Sequence, residues 1–273
     1  MPPDMARLSA FAGWTSAALW TVSFYPFMVN NYRRRSTDGL SIDFCLLDVL
    51  GAVSYAVYNL AFALAPVVRR QYAARNPASP TPPVRANDVA YALHGLALSA
   101  VVYSQFYPRL WHFDRTRPPA RVSVWCAMTC WYCICAALLG AFVAATLPEL
   151  KRWMWLDVVY LVSNIKTFLV LLRYVPQTWL NYRRKSTRGL PLLPFVLDMT
   201  GGVLSLLQLL IDSAYHDQSP ALANPVKLAI AIVVIVFALA FFFQRFVLYK
   251  DAVDEMTDPK CIAERRWLLD SGA

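Results

Sequence analysis

Two acids stand at matched places in two apolar runs, Asp48 in "CLLDVLGA" and Asp198 in "FVLDMTGG". A carboxylate near the centre of a membrane helix costs roughly 2.5–3.5 kcal/mol by insertion scales, so each is expected to face a cavity or a partner. Withdrawal from water favours the neutral form of a carboxyl group, which is what a proton-carrying group in a membrane needs. The competing reading of each is a neutral or paired structural acid. A second pattern precedes Asp198. Lys166 and Arg173 lie seven residues apart, with Gln177 and Asn181 following at four-residue steps, so a helix carries all four on one face. Two cations, two amides and an acid on the next helix suit an amino-acid zwitterion, whose carboxylate wants a cation and whose ammonium wants an acid or amides. The same charges could instead form ion pairs between helices, such as Lys166 with Asp198. Asp88, in "RANDVAYALHGL", reads equally as an ordinary helix N-cap. His94, six residues on, reads as packed and hydrogen-bonded rather than as a proton relay.

The elements that position these groups follow from an internal repeat. From Pro26 to Gly51 and from Pro176 to Gly201, at an offset of 150 residues, twelve of 26 positions are identical, including "NYRR", "ST", "GL" and the two acids. A repeat of this kind is read before anything else. The 273 residues are 58% hydrophobic with only 16% charged. Apolar stretches of about 20–25 residues, long enough to span a bilayer, are read at roughly 8–30, 42–67, 88–110, 122–147, 155–179, 190–212 and 226–249. A three-helix unit reverses direction, so two parallel copies need one joining helix. The expected fold is an all-α membrane protein of seven transmembrane helices, two parallel three-helix repeats joined by a linker helix. Its expected parts are 1–110, linker 111–154, 155–250 and a cytosolic tail, 251–273. Parallel repeats of this sort place a transport site between halves near the midplane. Pro26 and Pro176 sit near the ends of helices one and five, where each kinks its helix or serves as a hinge.

The net charge of +9 is spread over short loops between apolar runs, which is an orientation signal and no nucleic-acid footprint. Eleven cations (Arg33, Arg34, Arg35, Arg109, Arg115, Arg117, Arg121, Arg183, Arg184, Lys185 and Arg188) follow the first, third and fifth spans, against seven (Arg69, Arg70, Arg75, Arg85, Lys151, Arg152 and Lys227) on the other side. This places the N-terminus outside the cytosol and the C-terminus inside. The N-terminus is expected to run directly into the first helix, which serves as an uncleaved signal. Cys126, Cys130 and Cys133 share one face of the fourth span; they read as small packing residues, with a soft-metal site as the alternative. No nucleophile–base pair, metal signature or phosphate loop points to an enzyme, and no cofactor is expected.

"YVPQ" with "NYRRKSTRGL" resembles the signature of the PQ-loop family. "WTVSFYP", "NDVAYALHG", "LDMTGGVLSLLQ" and "FFFQRFVLY" are similar to its lysosomal proton-coupled cystine exporters. The resemblance covers nearly the whole chain. It implies export of cystine with protons from an acidic lysosomal or vacuolar lumen. It assigns the coupling proton to Asp198 with a part for Asp88, and substrate contacts to Trp20, Phe24, Lys166, Gln177 and Asn181. Arg173 stands where the family has Lys, Phe27 where it has Gln, Asp48 where it has Asn, and Pro194 where it has a substrate-contacting Asn. Asp48 could add a second protonatable group or favour a cationic amino acid. The family's large lumenal N-terminal region is expected to be absent, and transport is not expected to need it. "ERRWLL", with Glu264, Leu268 and Leu269, is similar to the acidic dileucine pattern read by cytosolic sorting-coat adaptors. A carrier of cationic amino acids and a seven-helix sorting receptor without transport remain the alternatives.

Overall fold

The structure, a computed structural model, describes residues 2–77, 80–82, 84, 86–113, 120–146, 153–215 and 225–252. Regular structure among them is helical: α1 (Pro3–Val22), α2 (Phe24–Arg34), α3 (Ile42–Leu64), α4 (Pro66–Arg75), α5 (Ala86–Ser104), α6 (Pro108–Trp111), α7 (Val124–Thr146), α8 (Trp155–Leu172), α9 (Tyr174–Arg184), α10 (Leu193–Tyr215) and α11 (Pro225–Phe243), followed by a π-helical turn, Gln244–Leu248. Among the described residues, five stretches are long and apolar enough to cross a membrane: α3, α7, α8 with α9, α10, and Lys227–Leu248. The first and third expected spans are not among these five. Their helices are more polar, with Asp4 and Arg7 in α1 and Asp88 and His94 within the 19 residues of α5.

Pro26 and Pro176 each lack a backbone donor and crowd the carbonyl four residues earlier. The helices break three residues before each proline, at Ser23 and Arg173. Both residues keep right-handed backbone angles, so the axis is interrupted without a loop between α1 and α2 or between α8 and α9. The far ends of α2 and α9 close alike. Arg35 and Lys185 take left-handed conformations at φ 49 and φ 50, and the next N–H, of Ser36 or Ser186, returns to Asn31 or Asn181. Such a cap satisfies orphan carbonyls. Ser36 Oγ accepts from Asp38 N at 3.0 Å, as Ser186 Oγ does from Arg188 N at 3.1 Å. Gly39 and Gly189 follow at φ +101 and φ +89, a region side chains rarely adopt, and the two loops meet there. A Cβ on Gly39 would come within 2.9 Å of Gly189 Cα. The repeated "ST.GL" is therefore a backbone prescription.

The packing exchanges the two halves of the sequence. α1 packs on α10 and α8 on α3, while α3 packs on α5 and α10 on α11. α7 lies outside this pattern, against α8. Its buried face carries Cys126, Cys130 and Cys133 against Leu47, Ile165 and Leu169. Its other face exposes Val124, Met128, Trp131, Tyr132, Leu138 and Phe142. A contiguous apolar surface of that kind marks contact with lipid or another protein.

Candidate functional site

A cavity of about 570 Å³ opens between the halves, within the usual size range of small-molecule sites. Its base is charged. Asp48 on α3 accepts from Arg173 Nη1 at Oδ1, and its Oδ2 accepts from Ser99 Oγ on α5 at 2.6 Å. Arg173 Nη2 donates to Tyr174 Oη at 2.8 Å and lies 3.8 Å from Asp198 Oδ2. The Tyr174 hydroxyl in turn donates to Asp198 Oδ2 at 3.3 Å. One guanidinium thus bridges two repeat-related carboxylates, all three side chains 10–15% exposed. Arg173 lies at the junction of α8 and α9, three residues before Pro176. Lys166, two turns earlier, lines the same cavity with Nζ 4.8 Å from the centre of the Tyr55 ring. It makes a cation–π contact there, whereas the ion pair of Lys166 with Asp198 weighed from the sequence is replaced by Arg173 at 3.8 Å. Two cations and two acids balance at this base.

Trp20 and Phe24 form the wall facing Asp198 and Arg173. Trp20 Nε1 donates to the Asp198 carbonyl at 3.3 Å. Gly201 leaves room for that ring: a Cβ there would stand 2.7 Å from Trp20 Nε1. The glycine of "TGG" thus has a steric reason. Asp88 lies in the first turn of α5, which begins at Ala86, so it sits inside the helix rather than capping it. It is not among the residues lining the cavity. His94 Nε2 is paired with Tyr25 Oη at 2.7 Å. Glu264, Leu268 and Leu269 lie outside the described residues.

Gln177 and Asn181 leave the expected stripe. Both are fully buried and neither lines the cavity. Gln177 Oε1 accepts from Ser41 N at 2.8 Å and Nε2 donates to Gly39 O at 2.8 Å, so the amide ties α9 to the opposite repeat's loop. Asn181 Nδ2 donates to Gln244 Oε1 at 2.9 Å, whose Nε2 donates to Thr178 O at 3.1 Å. The first repeat builds the same ladder from Asn31, Gln105 and Met28 O, at 2.9 and 3.1 Å. Past the Arg173 junction, Gln177 and Asn181 are spent on the loops and on Gln244 rather than on the cavity that Lys166 lines.

Phe27, which replaces the first repeat's amide, joins an aromatic cluster with Phe44, Tyr174, Phe195 and Phe241. Phe195 and Phe241 have ring centres 4.3 Å apart. This cluster closes the cavity on the side of the two "NYRR" loops. The task of the missing amide passes to Asn30, whose Nδ2 donates to Gly189 O at 3.0 Å, the twin of Gly39 O. Pro194 occupies the first turn of α10, where its absent N–H costs nothing. Sequence reasoning passed over Ser99, Tyr174 and Asn30. Tyr174 was findable as the repeat twin of Phe24; Ser99 has no signal, because a serine in an apolar helix is ordinary.

Comparison with known proteins places these features in a family. Residues 8–68 and 158–218 each match the family model described as PQ loop repeat. The chain is 37% identical over 243 residues to cystinosin of Bos taurus, covering 87% of this chain and 62% of that relative. It therefore spans less than two thirds of the bovine protein. It is 34% identical to the cystinosin homologue of Arabidopsis thaliana, covering 88% of this chain and 85% of the relative. It is 28% identical to a protein of Saccharomyces cerevisiae named cystine transporter, covering 89% and 95%. With both repeats matched and a relative above 30% identity aligned over most of its length, the chain belongs to the cystinosin-like PQ-loop family.

Proposed function

We propose that the protein carries cystine together with protons from an acidic lysosomal or vacuolar lumen to the cytosol by alternating access. In this reading the chain crosses the membrane seven times as three helices, α7 as linker, and three helices. The N-terminus is lumenal, and the tail with Glu264, Leu268 and Leu269 is cytosolic and read by coat adaptors. The observation that carries the reading is the Arg173 bridge between Asp48 and Asp198 at the closed end of a cavity. With both acids ionised, the base of the cavity, Asp48, Asp198, Arg173 and Lys166, is neutral. A proton on Asp198 leaves it net positive, which favours a substrate carboxylate beside Lys166 and Arg173. Proton and amino acid then enter as a pair. Two pH units supply roughly 2.7 kcal/mol per proton, enough for about a hundredfold accumulation.

Purified protein in proteoliposomes, acidic outside and neutral inside, should take up labelled cystine with acidification of the lumen. Asp198→Asn should lose the proton flux; a variant still moving protons with cystine refutes the role of Asp198. A carrier of cationic amino acids draws its support from Asp48, yet both oxygens of that acid are engaged by Arg173 and Ser99. Competition by lysine or arginine against labelled cystine separates the two readings. A sorting receptor would give no counterflow in the same vesicles.

A further inference from the structure

The two "NYRR" loops divide their cations into two classes, and both do it in the same way. Arg34 Nη1 donates to Asp38 O at 3.0 Å and Arg184 Nη1 to Arg188 O at 3.3 Å, so one guanidinium per repeat closes its own loop. Arg33, Arg35, Arg183 and Lys185 are exposed instead. Positions 31–40 and 181–190 together hold seven cations and one acid, Asp38. Positive charge anywhere in these loops would serve to orient the chain. The placement of the four exposed cations is more particular than that.

Arg35 and Lys185 occupy the left-handed cap position, at φ 49 and φ 50, where glycine is the usual residue and a side chain is disfavoured. Both repeats nevertheless put a cation there. The turn lays each cation over the tyrosine three residues earlier. Arg35 Cζ stands 4.9 Å from the centre of the Tyr32 ring, and Lys185 Nζ stands 3.5 Å from that of Tyr182. Each tyrosine also meets a tryptophan. Tyr182 stacks on Trp179 of α9 at 5.5 Å, and Tyr32 meets Trp111 of α6 edge-on at 6.3 Å. The tryptophans are not related by the repeat, since the twin of Trp179 is Val29. The same group of tyrosine, tryptophan and cation is therefore assembled twice from different elements. Tyr32, Trp179 and Tyr182 are half-exposed, so these rings face outward and take no part in the core. Amphipathic rings at the end of a membrane span sit at headgroup level, and cations beside them on the cytosolic side attract anionic lipid.

Resting on the membrane-spanning reading above, which puts both loops at the cytosolic surface, we propose that each repeat binds one anionic phospholipid of the cytosolic leaflet. Tyr32, Arg33, Arg35 and Trp111 form the first site; Trp179, Tyr182, Arg183 and Lys185 form the second. The rings lie against the glycerol and upper acyl carbons, and the two cations take the anionic headgroup. A bilayer lipid fits better than a soluble phosphate, because the rings offer a surface to its apolar part. The competing occupant is the acidic sequence that follows Ala252, with Asp254, Glu255 and Asp258. Arg188 Nε donates to Ala252 O at 3.0 Å, which starts that segment beside the second loop. An acidic peptide, however, leaves the two ring pairs without a role.

The test releases the full chain from detergent micelles doped with phosphatidylserine, or with phosphatidylcholine as reference, and counts bound lipid by native mass spectrometry. The wild type should retain one phosphatidylserine per repeat and shed phosphatidylcholine. Arg35→Gly and Lys185→Gly should each weaken one site by about fivefold, the share of one cation at an anionic surface. Neither should lower the unfolding temperature in phosphatidylcholine micelles, because glycine suits the left-handed cap. Binding is thereby separated from folding. Lys185→Gly combined with Arg183→Gln should leave a single bound lipid, and Tyr182→Leu should weaken the same site. Arg69→Gln with Arg70→Gln, exposed on α4 beyond the far end of α3, should bind as the wild type does. Unchanged retention in the combined variant, an equal loss in the α4 variant, or displacement of the lipid by inorganic phosphate overturns the two sites. Retention that appears only after residues 253–273 are removed assigns the surface to the tail and overturns them as well. Protein that stays soluble without detergent overturns the membrane-spanning reading instead.

Discussion

Arg173 is the residue on which the site turns. It is held by Asp48 and Tyr174, faces Asp198, and stacks over the Tyr174 and Phe44 rings at 4.8 and 5.6 Å. By the resemblance to the PQ-loop family, Lys is expected in place of Arg173 and Asn in place of Asp48. The extra acid is thereby matched by a guanidinium, whose planar fork can serve two carboxylates where an ammonium is a point charge. Removing one partner of a buried pair leaves an uncompensated charge, which costs about 3–5 kcal/mol. Asp48→Ala should therefore lower the thermal unfolding temperature sharply, and Asp48→Asn combined with Arg173→Lys should recover most of the loss. If Asp48→Ala unfolds at the wild-type temperature, the pair has no structural weight. The sequence named Asp48, Arg173 and Asp198 as candidates, but the pairing among them was not legible, because it depends on where the helix breaks.

At the scale of elements, the paired breaks at Ser23 and Arg173 divide each half into a cavity-lining segment and a segment that locks the loops. α2 and α9 are fastened by the Asn31–Gln105 and Asn181–Gln244 ladders and by the Asn30 and Gln177 bonds to the opposite loop. α1 and α8 carry Trp20 and Lys166 into the cavity. Relative motion of the two segments requires that the interruption persist. Pro176→Ala restores a backbone donor and removes the ring clash, so α8 and α9 are expected to fuse. The outcome should be retained cystine binding with loss of counterflow; full transport by this variant would show that no hinge is needed at that point. The two prolines were visible in the sequence, and the break was expected there. The amide stripe was not found as expected, since Gln177 and Asn181 are engaged by Ser41, Gly39 and Gln244 instead of facing the cavity.

Across the whole molecule, the cavity is shut on the side of the "NYRR" loops by Phe27, Phe44, Tyr174, Phe195 and Phe241, and by the amide ladders beyond them. Its lining instead extends toward the other end, through Ala17 and Gly13 to Gln208 and Lys227. We infer that access to the cavity is from the side opposite those loops. In a cysteine-free background, Ala17→Cys should react with a membrane-impermeant thiol reagent from that side only, and Phe27→Cys from neither side. Equal labelling of both would mean that the aromatic cluster is no barrier. Replacement of Cys126, Cys130 and Cys133 calls for small apolar residues, since all three are packed against Leu47, Ile165 and Leu169.

The sequence by itself determined the repeat, the apolar helices and the matched acids, because these are properties of composition and spacing along one chain. It also determined the loop geometry, since Ser36, Gly39 and their twins prescribe local backbone angles whatever surrounds them. Only the tertiary structure decided that Arg173 bridges Asp48 and Asp198, that Asn30 takes over from Phe27, and that Ser205, Gln208 and Lys227 share one cavity. Arg173–Asp48 and Asn30–Gly189 join residues 125 and 159 positions apart, brought together by packing between the two repeats, while Arg173–Asp198 and Gln208–Lys227 depend on how helices nearer in sequence fold back on one another.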